Sequence, residues 1–183
     1  MSGTAHQPFH EYPPGLLLWI VVNQKHFIQE VGQNTSYADR EGAEVDDANL
    51  IEALKPFNVD LRIWHDLKLY GKEGILDRLK TIYDEVESQP DKFSGLVFLG
   101  MSHGEQVETK DYFVTSDCKW LLTEKVTDLF QNCFCSGLKN KPKFYMWNMC
   151  RGDRPNADIE QGQNVENLRD TNIIDMILSD NSH

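Results

Sequence analysis

Two uncharged apolar runs of strand length set the terms for this chain: Gly15-Leu-Leu-Leu-Trp-Ile-Val-Val22 and Ser94-Gly-Leu-Val-Phe-Leu-Gly-Met101. A strand with one wet face alternates apolar and polar residues, so a continuous apolar run demands cover on both faces, the situation of a central strand in a parallel sheet. The stretch between them supports that reading. Val45, Ala48, Ile51 and Leu54 recur at helical spacing behind Glu44, Asp46 and Asp47, acids that suit a helix N-terminus, and Pro56 stops the helix. Val59-Asp-Leu-Arg-Ile-Trp64 alternates as a second strand, and Lys72 to Val86 lines up Ile75, Leu76, Leu79, Ile82, Tyr83 and Val86 on one helical face. Beyond the 94–101 strand, Tyr112 to Thr115 reads as a small hairpin at the sheet's edge. Thr123 to Phe130 reads as a third helix with Val126, Leu129 and Phe130 inward. Lys143-Phe-Tyr-Met-Trp-Asn-Met-Cys150 reads as another buried strand. Alternating strands and helices predict an α/β fold, a mainly parallel sheet flanked by helices on both faces.

The chain has 183 residues, enough for one domain with a proper core. Residues 1–14 read as a flexible leader ending in a Pro-Pro-Gly turn, with the domain running from 15 to 183. Asn23 to Arg40 must be a long loop, and loops of that length in compact domains are usually functional. A formal net charge of -11 disfavours nucleic acid and anionic membrane surfaces as partners. No run approaches the roughly eighteen apolar residues of a membrane span, and Met1 to His10 lacks the basic start and apolar middle of a signal peptide. The expectation is a cytoplasmic protein. Its cysteines, Cys118, Cys133, Cys135 and Cys150, include no CxxC pair and no companion Cys/His pair, so free thiols are expected, with no metal and no cofactor.

In parallel sheets the ligand site lies beyond the carboxyl ends of the strands. Two of the strands deliver reactive side chains there: Ser102-His103-Gly104 after one, Cys150-Arg151-Gly152 after the other. A partly exposed thiol beside a basic residue favours the nucleophilic thiolate, and an imidazole supplies the proton that a leaving amine needs. A glycine beside the histidine lets the main chain approach an oxyanion closely. Taken singly, Cys150 also fits an inert thiol at the end of a core strand, and His103 a solvated or capping side chain. His6, His10, His26, His65 and His183 have no matched cysteine and receive no role.

Three ordered segments resemble the large subunit of caspases: Arg40-Glu-Gly-Ala-Glu-Val-Asp-Asp-Ala-Asn-Leu50, Met101-Ser-His-Gly104 and Met149-Cys-Arg-Gly152. His103 and Cys150 stand 150 - 103 = 47 positions apart, close to the spacing of about 50 in that family. The resemblance implies a caspase-like three-layer sandwich and a cysteine endopeptidase that cuts proteins and peptides after aspartate, in programmed cell death or related signalling. It implies His103 and Cys150 as the catalytic pair, the Gly104 and Cys150 amides as the oxyanion hole, and Arg40 with Asn148 in the pocket for the substrate's acidic side chain. A guanidinium fork matches a carboxylate in both geometry and charge. Two positions depart from the family pattern: Asn148 replaces a glutamine, one methylene longer, and Met149 replaces an alanine. The resemblance further implies a core over 15–153, a linker-like stretch over 154–170 with Asp153, Asp158 and Asp170 as cleavage candidates, and the opening strand or helix of a small subunit over 171–179. The sheet is then expected to be open at one edge, where a caspase partner or a second copy pairs. The alternative to an active enzyme is a weak or inactive homologue that binds and modulates full-length caspases.

Overall fold

The computed structural model describes residues 15–33, 35–150 and 152–153. The leader 1–14, Arg151, the linker-like 154–170 and the segment 171–179 lie outside the described residues. Four strands form the main sheet in the order β2-β1-β3-β7: β1 Leu16–Asn23, β2 Val59–His65, β3 Phe93–Met101 and β7 Lys143–Asn148. All three pairings are parallel. A second sheet, in the order β6-β5-β4-β8, holds β4 Gly104–Val107, β5 Lys110–Val114, β6 Trp120–Leu122 and β8 Gly152–Asp153. The helices are α1 Ala43–Leu54, α2 Ile75–Ser88 and α3 Thr123–Leu129. Among the described residues no helix is long and apolar enough to cross a membrane.

The mainly parallel sheet with helices on both faces is the expected architecture. Registered partners in a parallel sheet point their side chains to the same face, so the register separates two surfaces. One carries Leu18, Ile20 and Val22 of β1, Trp64 of β2, Leu96 and Phe98 of β3, and Tyr145 and Trp147 of β7. The apolar stripe of α2 covers it together with Val126 and Leu129 of α3, and Phe113 of the second sheet reaches the same core. The other surface carries Leu61, Trp19, Val97 and Phe144 in one row and Ile63, Val21, Leu99 and Met146 in the next. Helix α1 lies on this side, held by Asn23, whose Nδ2 donates to the Ala43 carbonyl at 2.8 Å.

Four expectations are corrected. β7 is not a strand buried on both faces: among the described residues it pairs with β3 alone, and its burial alternates, leaving Phe144 57% and Met146 41% exposed. Tyr112 to Thr115 is not a hairpin at the edge of the main sheet. β4 and β5 do form an antiparallel hairpin, but within the separate second sheet. The apolar stripe of α1 also fails to turn inward: Ala43 and Leu54 are buried, while Val45 is 55% and Ile51 46% exposed. Helix α2 starts three residues later than its periodicity suggests, because Gly71 and Glu73 take positive φ in the turn before it. Among the cysteines away from the rim, Cys118 and Cys135 are buried, Cys135 in the main core, and Cys133 is exposed. Burial pushes the Cys135 thiol up to about 11, out of nucleophilic range at neutral pH.

Candidate active site

The four strands of the main sheet end together. Asn23 is registered with His65 on one side and Met101 on the other, and Met101 with Asn148, so the last residues of β2, β1, β3 and β7 form one row across the carboxyl rim. From this rim β3 and β7 both cross, side by side, into the second sheet, where β4 and β8 pair in parallel through Glu105 and Gly152. His103 lies two residues beyond Met101, and Cys150 lies two residues beyond Asn148. The two therefore sit at equivalent points of adjacent crossings, which the Ser102 amide locks by donating to the Asn148 carbonyl at 3.2 Å. Cys150 is an exposed free thiol.

Gly104 sits where the crossings come closest. A Cβ at this position would stand 2.4 Å from the Cys150 carbonyl oxygen and 2.8 Å from Met149 Cγ, closer than real contacts allow. Glycine is required here for close approach, not for a positive φ. The Val114 amide donates to the His103 carbonyl, so Gly104 and Phe113 form a pair that does not exchange hydrogen bonds directly. The Gly104 N–H consequently points away from β5. Ser102 turns its hydroxyl the other way and donates to the Val114 carbonyl at 2.6 Å.

The long loop after β1 supplies the rest. His103 Nε2 meets the Ala38 carbonyl at 2.7 Å. A carbonyl can only accept, so Nε2 carries the hydrogen and Nδ1 holds the lone pair of the neutral ring. Tyr37 stacks on the imidazole with centroids 5.4 Å apart, and Phe27 lies against it at 4.8 Å. The Tyr37 hydroxyl donates to Glu105 Oε1 at 2.9 Å and accepts from Trp120 Nε1 at 2.8 Å. The loop that orients His103 is thus anchored to the second sheet. The same loop delivers Arg40, whose Nη1 donates to Asn23 Oδ1 at 2.9 Å and to the Gln24 carbonyl at 2.8 Å. Asn148 is exposed at the far end of the rim row, on the same face of the sheet as Asn23.

The structure therefore gathers the candidate site residues His103, Gly104, Cys150, Arg40 and Asn148 along one rim, while Arg151 lies outside the described residues. The sequence reading missed Ala38, Tyr37, Phe27 and Asn23. Two aromatic residues in an otherwise polar loop are a signal that could have pointed to Tyr37 and Phe27. Ala38 acts through its main chain and leaves no side-chain trace.

The pattern of the caspase domain matches residues 18–179. The chain belongs to the caspase family. Among curated relatives it is 32% identical to caspase-2 of Gallus gallus over 154 residues, 84% of this chain and 33% of that protein. It is 31% identical to caspase-3 of Bos taurus over 153 residues, 84% of this chain and 50% of that protein. The chain spans half or less of the length of these relatives. Membership makes it a caspase-like domain of a cysteine peptidase family, and the crossings that carry His103 and Cys150 lie inside the matched region.

Proposed function

We propose that this caspase domain is a cysteine endopeptidase that cleaves after aspartate, with Cys150 as nucleophile and His103 as general acid and base. The observation that carries the reading is the placement of His103 and Cys150 on adjacent crossings, with His103 Nε2 committed to the Ala38 carbonyl. Nδ1 is thereby left to exchange protons with the thiol and the leaving group. The thiolate attacks the scissile carbonyl carbon, forming a C–S bond while the carbonyl electrons move onto oxygen. The amides of Gly104 and Cys150 receive that oxyanion. The imidazolium gives its Nδ1 proton to the departing amine as the C–N bond breaks, leaving a thioester. Neutral His103 then takes a proton from water, the water oxygen attacks the thioester, and the acid product leaves with the thiol restored. Arg40 and Asn148 receive the aspartate side chain. The substrates are protein segments bearing acidic residues, in programmed cell death or related signalling within the cytoplasm.

The test uses the full chain with aspartyl-peptide reporters and an aspartyl active-site-directed electrophile. Turnover or stoichiometric labelling that disappears in Cys150→Ala is expected. Folded protein with neither turnover nor label on Cys150 overturns the reading.

A second reading is favoured by β7, the edge strand among the described residues, with Phe144 and Met146 exposed. In it the chain is a weak or inactive homologue that pairs through this edge with a full-length caspase and modulates it. A monomeric elution and the absence of any complex with such a caspase overturn it.

A further inference from the structure

Arg40 is held in an unusual way for a cation with only 17% of its side chain exposed. Both of its close acceptors, Asn23 Oδ1 and the Gln24 carbonyl, are neutral. The nearest carboxylate, Asp46, reaches Nη2 only at 3.5 Å and is itself 43% exposed. A second carboxylate, Asp47, lies one residue further along α1, and what separates it from Arg40 is Asn23.

Asn23 is 1% exposed at the end of the central strand β1, and each polar atom of its side chain is used. Nδ2 donates to the Ala43 carbonyl at 2.8 Å and to Asp47 Oδ1 at 2.9 Å. Both of those partners can only accept, so the amide has one possible orientation, with Oδ1 toward Arg40. Asp47 is held in turn by His65 Nε2 at 2.7 Å on Oδ2. A chain of contacts thus runs His65, Asp47, Asn23, Arg40 across β2, α1, β1 and the long loop.

We infer that Asn23 is the positioning residue that sets the specificity of the site: it aims the Arg40 guanidinium with a neutral oxygen while its NH2 group hydrogen-bonds Asp47 on the other side. A guanidinium oriented by neutral acceptors keeps its charge for an incoming carboxylate. An aspartate at position 23 would instead form a buried ion pair with Arg40 and cancel that charge within the protein. From a single side chain the amide presents an acceptor to the cation and one N–H each to the acid and to the Ala43 carbonyl. This inference rests on the proposed role of Arg40 in receiving the substrate's acid.

The experiment measures the labelling of Cys150 in the full chain by two peptidyl electrophiles identical except for aspartate or asparagine at the residue that occupies the pocket. Iodoacetamide, which has no acid to dock, serves as the reference. The wild type is expected to label at least about tenfold faster with the aspartyl probe, the factor that one charge-assisted contact supports. Asn23→Ala is expected to lose most of that preference, and to lose it in the probe concentration needed for half-maximal rate rather than in the limiting rate. A purely structural role would slow both probes and iodoacetamide alike and leave the ratio intact, which overturns the inference. Should Asn23→Ala fail to fold, Asp47→Ala, at a half-buried position of α1, decides. It removes one of the two acceptors that hold the Asn23 NH2 group, so a fall of about two- to threefold in the preference is expected, and an unchanged ratio overturns the inference. A wild type with no preference for the aspartyl probe overturns the role of Arg40 and this inference with it, whereas a preference that survives in both variants overturns this inference alone.

Discussion

The two faces of the main sheet are built from equally apolar strands and yet are covered by different forces. On one face α2 seats Ile75, Leu76, Leu79, Ile82, Tyr83 and Val86 against Leu18, Ile20, Phe98 and Trp147. There the helix is held by burial of apolar area, which is non-directional and summed over many contacts. On the other face α1 buries only Ala43 and Leu54 and is tied down by directed polar contacts from Asn23 and His65 to Ala43 and Asp47. The first arrangement makes a rigid back wall. The second puts the polar side chains of Asn23, His65 and Asn148 at the rim, so the face that packs less is the face that leads to the candidate site.

The largest expected difference between the faces is in core truncation. Phe98→Ala, on the covered face, should destabilise the chain by about 3–5 kcal/mol, whereas Phe144→Ala, on the exposed row of β7, should cost less than about 1 kcal/mol. Urea unfolding of the two variants checks this, and equal losses would mean that the open face is covered after all. Hydrogen exchange gives a smaller contrast. Amides of α1 should exchange at least about tenfold faster than those of α2, since a helix held by a few polar contacts opens locally before the core does. Equal protection would break the distinction.

The smallest effect concerns a strong polar tie on the covered face. Glu85 of α2 accepts from Arg62 Nη1 at 2.5 Å and Nη2 at 2.9 Å, and from Lys92 Nζ at 2.6 Å. The Arg62 hydrogen bonds foremost, with Lys92 assisting, hold the Glu85 carboxyl down at about 2. A carboxyl depressed in the folded state stabilises the fold fully above its ordinary pKa and loses that contribution as the pH falls from about 4.5 to about 2. Glu85→Gln should therefore cost about 1 kcal/mol at neutral pH, a modest figure because the pair is partly solvated. The difference from wild type should vanish near pH 2 in the same urea titrations. A penalty independent of pH would assign Glu85 a packing role instead.

Much of this was legible in the chain itself. The apolar runs and helical spacings located β1, β2, β3, α1, α2 and α3, because periodicity is a local property that survives without knowledge of the partners. Strand direction was enough to carry His103 and Cys150 to the same rim, since in a parallel sheet every strand ends on the same side. The run before Cys150 misled about burial. Apolar content states that a face prefers cover and is silent on whether a described element supplies it, and the exposed Phe144, Met146, Val45 and Ile51 all reflect that gap.

Tertiary structure alone decided how the site is held. His103 and Ala38 are 65 positions apart, and Asn23 and Asp47 are 24. Their contacts depend on the path of a loop whose sequence has no periodicity to read. Ala38 contributes a main-chain carbonyl, which every residue possesses, and Asn23 contributes an amide whose orientation follows only from the partners around it. The sequence by itself determined which side chains reach the rim, because chain direction and local pattern are enough for that. The fold determined which nitrogen of His103 keeps its lone pair and which acceptors orient the Arg40 guanidinium, because both rest on hydrogen bonds between segments brought together only by the folded sheet.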